Sequence, residues 1–259
     1  MLVAERHEKI VEVVNDKGSI RVSELSQLFG VTEETIRRDL ERLETDGKLR
    51  RSHGGAVSVK TTGAEAPYTE REITNVKEKM EVATEAIAHV KVNDRIILDA
   101  STTAWYMAKR LPDMPLTVVT NSMKVAMELA SREKIKVISV GGTLLSKSLS
   151  FVGPQAEQAL ESYYVNKAFV SCQGIHPERG LSDSNEMQAL VKKKMIEMSE
   201  TVYLLVDYSK YGVKAFSRID STEAVDYVIT DSKTNTTQLE PFKDREITFI
   251  RANEGTVYL

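Results

Sequence analysis

Residues 31–43 read VTEETIRRDLERL, and how they are placed decides the fold of the first part of the chain. Thr32 is a helix-capping residue type: its side-chain oxygen can accept an N–H of the first turn. Glu33 and Glu34 then fall in that turn, where negative charge suits the helix dipole by roughly 0.3–1 kcal/mol. Ile36, Leu40 and Leu43 follow at i, i+4 and i+7 and form one apolar stripe. Glu34, Arg38, Glu41 and Arg42 therefore point outward, with Thr35 and Arg37 on the flanks. The free side offers hydroxyls and guanidinium forks, which match guanine edges and phosphates bidentately. The competing reading is a helical bundle with a solvated, charged face, and the flanking sequence discriminates between the two.

Upstream, Ile10, Val11 and Val14 have helical spacing, and Gly18 sits where that helix would stop. SIRV, residues 19–22, reads as a short extended piece. Ser23 is placed to cap a second helix, in which Leu25, Leu28 and Phe29 are expected to share one face. Gly30 and Val31 make the turn into the quoted helix, so the pair reads as a helix-turn-helix. Downstream, LRRSHGGAVSV reads as a β-hairpin with Gly54 and Gly55 near its turn, and SIRV is free to pair with it. The segment 48–60 carries Lys48, Arg50, Arg51 and Lys60 and no acid, in a chain whose net charge is −3. Charge read locally thus points to a basic wing, whose arginines hold phosphates without reading sequence. A winged helix-turn-helix over 1–58 is expected, with DNA contacts from Thr32, Glu34, Thr35, Arg37, Arg38, Arg42, Lys48, Arg50, Arg51 and His53.

TTGAEAP, residues 61–67, is small, polar and rich in breakers, and a linker over 59–74 follows from it. The whole chain has 259 residues, 41% hydrophobic and 28% charged, in the ordinary range for a globular protein. One cysteine, Cys172 in the apolar run AFVSC, excludes an internal disulfide; a buried thiol in a cytoplasmic protein fits. The start meets charge at Glu5, with no signal-peptide core, and no apolar run approaches the ~20 residues of a membrane helix. The four histidines show no ligand spacing, so neither metal nor cofactor is expected.

Over 75–259, apolar strand candidates (RIILD, LTVVT, KVISV, KAFVSC, VYLLVD, AVDYVIT, ITFIR) alternate with amphipathic helices. That pattern predicts an α/β domain with a largely parallel sheet. Ligands bind beyond the carboxyl ends of such strands. The residues found there are DASTT (99–103), TNS (120–122), Gly141 and Gly142, Gln173 and Gly174, SDSNE (182–186) and DYSK (207–210). Hydroxyls and free N–H groups at a helix start form an anion site. Ser101, Thr102 and Thr103 are thus placed for a phosphate, with Asn121, Ser122, Gly141 and Gly142 beside them and Lys210 adding charge. Asp99, Asp183 and Glu186 suit sugar hydroxyls. Together they spell a phosphorylated sugar. Plain helix capping competes as a role for STT, a tight turn for the two glycines, and a solvated surface position for Lys210.

The sequence resembles the DeoR family of bacterial transcription regulators. Arg6, Ile10, Val14, Thr32, Thr35, Ile36, Arg37, Arg38, Asp39 and Leu40 match that family's N-terminal pattern, and GKLRRSHGGAV is similar to its wing. DASTT, TNS, VGG, SFVGP, GLSDSNE and VDYSK resemble blocks of its effector domain. The resemblance implies a fold similar to ribose-5-phosphate isomerase and glucosamine-6-phosphate deaminase. The family commonly reads DxGTT at the first loop; here Ser101 replaces the glycine. The implied protein is a repressor of a carbohydrate catabolic operon that binds double-stranded operator DNA and is released by a sugar phosphate. One recognition helix reads few base pairs, so a homodimer or homotetramer is expected. The alternative is a sugar-phosphate isomerase or deaminase-like enzyme carrying a DNA-binding module. Sugar isomerisation needs an acid–base pair at the reacting carbons. The related enzymes carry an Asp-rich loop where this chain reads CQGIH, so no catalytic residue is assigned.

Overall fold

The computed structural model describes residues 3–17, 19–52, 54–58, 65–253 and 255–257. The chain divides into two compact units, Met1–Ala64 and Glu65–Leu259.

In the first unit α1 (Val3–Lys17) leads into β1 (Ser19–Arg21) and α2 (Val22–Phe29). Gly30, in the left-handed conformation, turns the chain toward α3 (Glu33–Thr45), and Thr32 caps α3 by accepting from the Thr35 amide. β2 (Leu49–Ser52) and β3 (Gly55–Ser58) form an antiparallel ribbon, and β1 adds to its other edge in the order β1-β3-β2. Gly55 permits that third strand: a Cβ there would lie 2.2 Å from the Ile20 carbonyl oxygen. Ile36, Leu40 and Leu43 are buried together with Ile10, Val14, Ile20, Leu25, Leu49 and Ala56 in one core.

Three expectations in this unit need correction. Val22 begins α2 instead of extending β1. Ser23 is not the cap; Arg21 holds that position without a side-chain bond, and the Val22 amide donates to the Gly54 carbonyl at 2.9 Å. The wing's backbone thus satisfies one of the first-turn amides of α2. Leu28 does not share the buried face of α2; it is 58% exposed, while Leu25 is buried and Phe29 packs against the core. Gly18 and His53 lie outside the described residues.

The second unit opens with α4 (Tyr68–Ile73) and α5 (Val76–Ala88). Residues 65–74, expected as linker, belong to this unit: Tyr68 is buried and its amide donates to the Lys147 carbonyl at 2.7 Å. An aromatic side chain of that size holds the segment to the domain by burial. The other linker residues, 59–64, lie outside the described residues. Next come β4 (Arg95–Leu98), α6 (Thr102–Arg110), β5 (Leu116–Thr120), α7 (Met123–Leu129) and β6 (Ile135–Ser139). A small antiparallel pair, β7 (Thr143–Leu145) and β8 (Ser150–Val152), precedes α8 (Pro154–Glu161). β9 (Val165–Val170), β10 (Gly174–His176), β11 (Gly180–Asp183), α9 (Glu186–Glu197) and β12 (Ser199–Val206) follow. β13 (Ser217–Asp220), β14 (Tyr227–Thr230), β15 (Thr248–Arg251) and β16 (Gly255–Val257) complete the strands.

Eight strands form the main sheet in the order β16-β15-β14-β12-β9-β4-β5-β6, parallel throughout except for β16. Alternation along each strand sends neighbouring side chains to opposite faces. Ile96 and Leu98 pack with α5, α6 and α7, whereas Ile97 packs with α8 and α9. A second sheet, β10-β11-β13, lies on the α9 side and was not anticipated. All seven apolar strand candidates belong to the main sheet, so the loops after its parallel strands emerge along one edge.

Candidate functional site

On α3, Thr32, Glu34, Arg37, Arg38 and Arg42 are exposed and Thr35 is half-buried. The Thr32 and Thr35 hydroxyls are hydrogen-bonded at 2.9 Å. Arg37 pairs with Glu33 at 2.7 Å, Arg38 with Glu34 at 3.4 Å and Arg42 with Asp46 at 3.7 Å. Such exposed pairs are worth about 0.3–0.5 kcal/mol, so they yield readily to a phosphate or a base edge. Lys48 and Arg51 are exposed on the wing side, and the Arg51 amide donates to the Glu44 carboxylate at 2.8 Å. Arg50 is in β2, opposite Val57; its side chain, like His53, lies outside the described part. Asp39, on the inner side of α3, accepts from Arg6 of α1 at 2.6 Å and is bonded to His7 at 2.9 Å.

At the sheet edge the structure sorts the expected ligand residues. Thr102 and Thr103 open α6 and are buried at the strand ends. Ser101 is the cap of that helix, accepting from the Ala104 amide at 3.0 Å, and Ser122 caps α7 in the same way at 3.1 Å. Capping therefore already engages these two hydroxyls. Asn121 donates to the Phe151 carbonyl at 3.0 Å, leaving its buried Oδ1 without a hydrogen bond. Gly141 and Gly142 both have positive φ. At Gly142 a Cβ would stand 2.7 Å from the Val152 carbonyl oxygen, so close packing on the β8–α8 junction requires glycine there. Glu186, the first residue of α9, is exposed. Lys210 is half-buried and donates to Gln173 Oε1 at 3.3 Å.

Asp99 and Asp183 are not free to meet a sugar. Asp99 is fully enclosed, accepting from the Ser101 and Ser171 amides at 3.0 Å each. Lys192 of α9 lies 3.3 Å from Asp99 and 2.8 Å from Asp183, and also donates to the Ser171 carbonyl at 2.7 Å. Burial opposes the Lys192 charge, but the two carboxylates outweigh it and hold its pKa above the ordinary lysine range. The one ammonium serves both carboxylates, and the triad ties the ends of β4, β9 and β11 together.

A second group of charges faces this edge; Lys210 was expected there, whereas sequence reasoning missed Lys79 and Arg71. Lys79 of α5 is 6% exposed, and its ammonium donates to the Arg71 carbonyl. Burial pushes its pKa down to about 8, helped by the charges of Lys210 and Arg71; Asp207 pulls the other way. Asp207 is itself engaged, accepting from Asn75 at 3.3 Å and from the Ser209 amide at 3.0 Å. Helix α4 is joined to α6 where Tyr106 donates to the Glu72 carbonyl at 2.9 Å. Lys79, Lys210 and Arg71 thus act on one another here, with Asp207 and Glu65 as the carboxylates beside them. The available signal was periodicity: Lys79 sits on the stripe Val76, Lys79, Ala83, Ala86, where an apolar residue belongs.

Two family profiles match the chain: the DeoR-like helix-turn-helix domain over residues 6–62 and the DeoR C terminal sensor domain over residues 74–232. It is 60% identical over 247 residues, 95% of this chain and 96% of the other, to a Bacillus subtilis (strain 168) protein described as the uncharacterized HTH-type transcriptional regulator YulB. It is 38% identical to the L-fucose operon activator of Haemophilus influenzae, over 87% of this chain and 91% of that one. Among solved structures, ribose 5-phosphate isomerase A from Methanocaldococcus jannaschii is similar, with a TM-score of 0.40 and 20% identity over 53% of this chain and 55% of that one. The two curated relatives are described as regulators, and of the three carboxylates considered for an isomerase Asp99 and Asp183 are engaged by Lys192 while Glu186 is exposed. The chain is therefore a DNA-binding regulator and not an enzyme: it belongs to the DeoR family of helix-turn-helix transcriptional regulators, with a C-terminal sensor domain.

Proposed function

We propose that this regulator represses a carbohydrate catabolic operon and that a phosphorylated sugar bound in the sensor domain relieves its grip on operator DNA. The observation that carries the effector's chemistry is the convergence of Lys79, Lys210 and Arg71 near the strand ends, with the α6 N-terminus on the same edge. A helix N-terminus and clustered cations both favour a phosphate. Thr102, Thr103, Asn121 and Glu186 remain as groups for the rest of the ligand. Asp99 and Asp183 shape the floor of the site instead of touching the ligand.

The DNA side uses Thr35, Arg37, Arg38 and Arg42 for base edges and flanking phosphates, and Lys48, Arg50 and Arg51 for the backbone. Two copies at least are needed to reach operator-grade affinity on paired half-sites, so the working form is a homodimer or homotetramer in the cytoplasm. Repression is the simpler sign because it requires only occupancy of the DNA; activation requires a further contact with the polymerase. The fucose relative is named an activator, so the sign is a separate arm of the test.

The experiment is fluorescence anisotropy of the duplex just upstream of this protein's own gene, at fixed salt, with a scrambled control and a panel of sugar phosphates. Specific binding reversed by one sugar phosphate supports the reading. Equal binding to both duplexes overturns the operator role, and specific binding that no phosphate alters overturns the effector role. A reporter assay then separates repression from activation.

A further inference from the structure

Glu65 is the first residue of the second unit, one position beyond the last residue of the DNA-binding unit. Its side chain is only 7% exposed, and Oε1 stands 3.5 Å from an Arg71 guanidinium nitrogen. That nitrogen is buried and makes no hydrogen bond in this arrangement. Arg71 is also tied at two other points: its Nε donates to the Ala66 carbonyl at 3.1 Å, and its own carbonyl accepts from Lys79. Glu65 therefore lies against the same cation cluster that the effector reading assigns to a phosphate. Burial lifts the Glu65 carboxyl pKa above its ordinary value; Asp183 adds to this, while Arg71, Lys192 and Lys147 act against it. A carboxylate so placed is ion-paired with the guanidinium without a hydrogen bond to the nitrogen it faces. A phosphate offers more charge and a bidentate fit to the same group.

Three residues on, Tyr68 anchors the segment. Its ring is buried beneath Lys124 and Arg71, at 5.3 and 5.6 Å from its centroid, and its amide is bonded to Lys147. Displacement of Glu65 would consequently act on the chain upstream of this anchor, the stretch that leads to the DNA-binding unit.

We propose that Glu65 is a built-in competitor for the effector's phosphate, seated on Arg71 in the free protein and expelled when the phosphate arrives. Its expulsion releases residues 65–67, and the chain itself carries that change to the DNA-binding unit. This rests on the reading of the Lys79–Lys210–Arg71 cluster as a phosphate site. It gives that site the differential contact that a ligand must have with two states to shift them.

The test titrates the full-length wild type and Glu65→Gln with inorganic phosphate by calorimetry, without DNA. Glutamine keeps the shape and removes the competing charge, so phosphate should bind roughly fivefold tighter or more. Hydrogen exchange is read in parallel over residues 65–74. Phosphate should speed exchange at Glu65 and Ala66 in the wild type, Pro67 having no amide hydrogen, and Glu65→Gln should show the faster exchange without phosphate. Affinities equal within twofold, or unchanged exchange, overturn the competitor role while the phosphate site stands. Failure of both proteins to bind phosphate removes the site and this inference with it. If Glu65→Gln proves unfolded by its thermal transition, Glu65→Asp replaces it. That variant retracts the carboxylate by one methylene and should tighten phosphate in the same direction by a smaller factor; no change refutes the proposal.

Discussion

Arg6 of the first helix and Asp39 of the recognition helix, 33 positions apart, form a two-pronged buried ion pair. Arg6 Nε donates to Asp39 Oδ2 at 2.6 Å and a terminal nitrogen donates to Oδ1 at 3.1 Å. Burial alone would raise the Asp39 pKa; hydrogen bonds from Arg6 and His7 reverse the sign and hold it below the ordinary carboxylate value. The pair thus fixes α3 against α1 in both position and rotation.

Asp39→Ala leaves the Arg6 guanidinium buried without its partner and should destabilise the DNA-binding unit by about 3–5 kcal/mol. Because the folded-state pKa is depressed, the pair's stabilisation is complete above the ordinary Asp value and is lost as pH falls through the folded one. Urea unfolding of the wild type and variant at pH 7 and pH 3 checks both statements. A variant as stable as the wild type at pH 7 would show that the pair contributes nothing.

Arg38 and Arg51 should separate two kinds of DNA contact. Arg38→Ala should cost about 1–3 kcal/mol on the operator and relax one base position. Arg51→Ala should weaken binding to every duplex alike and flatten the salt slope by about one unit. Anisotropy titrations on operator and scrambled DNA at several salt concentrations distinguish them. An Arg38 variant with unchanged operator affinity is not a reader, and an unchanged slope places Arg51 off the backbone.

The legible parts of the sequence were those whose cause is local. Thr32, Ile36, Leu40 and Leu43 lie within four turns of one helix, and their spacing alone sets cap and core. The parallel strands were equally plain, since burial on both faces leaves short apolar runs. The short strands β10, β11 and β13 have three or four residues each, too few to show a period. Asp39, Lys79 and Lys192 escaped for a different reason: each is a charge on the inner face of a helix. Their compensating partners (Arg6, the Arg71 carbonyl, and Asp99 with Asp183) are distant in sequence or provided by backbone. In DASTT, residue types suited to a phosphate were equally suited to a cap, and Ser101 serves the cap.

Lys79 should make effector binding depend on pH. Its pKa of about 8 in the free protein leaves it partly neutral in mild alkali, and a bound phosphate favours the charged form. Binding above that value must take up a proton, so affinity should fall with rising pH by up to about tenfold per unit. Calorimetry with inorganic phosphate at pH 8.5, in two buffers of different ionisation enthalpy, reads the proton directly. Lys79→Met should abolish both the binding and the uptake while operator binding persists. Binding with no proton uptake would remove Lys79 from the phosphate's shell.

Lys192 makes the opposite case, a buried lysine that stays charged. Asp99 and Asp183, with side chains 0% and 4% exposed, have no other cation at these distances among the described residues. Lys192→Met should therefore leave two carboxylates confronting each other and destabilise the sensor domain by about 3–5 kcal/mol. Adding Asp99→Asn and Asp183→Asn removes both charges and should recover part of that loss, because the amides still pack in the same space. Urea denaturation of the wild type, the single variant and the triple variant measures the difference. A single variant as stable as the wild type would mean that the carboxylates tolerate burial unpaired. A triple variant no better than the single would assign the loss to the Ser171 carbonyl contact instead of to charge.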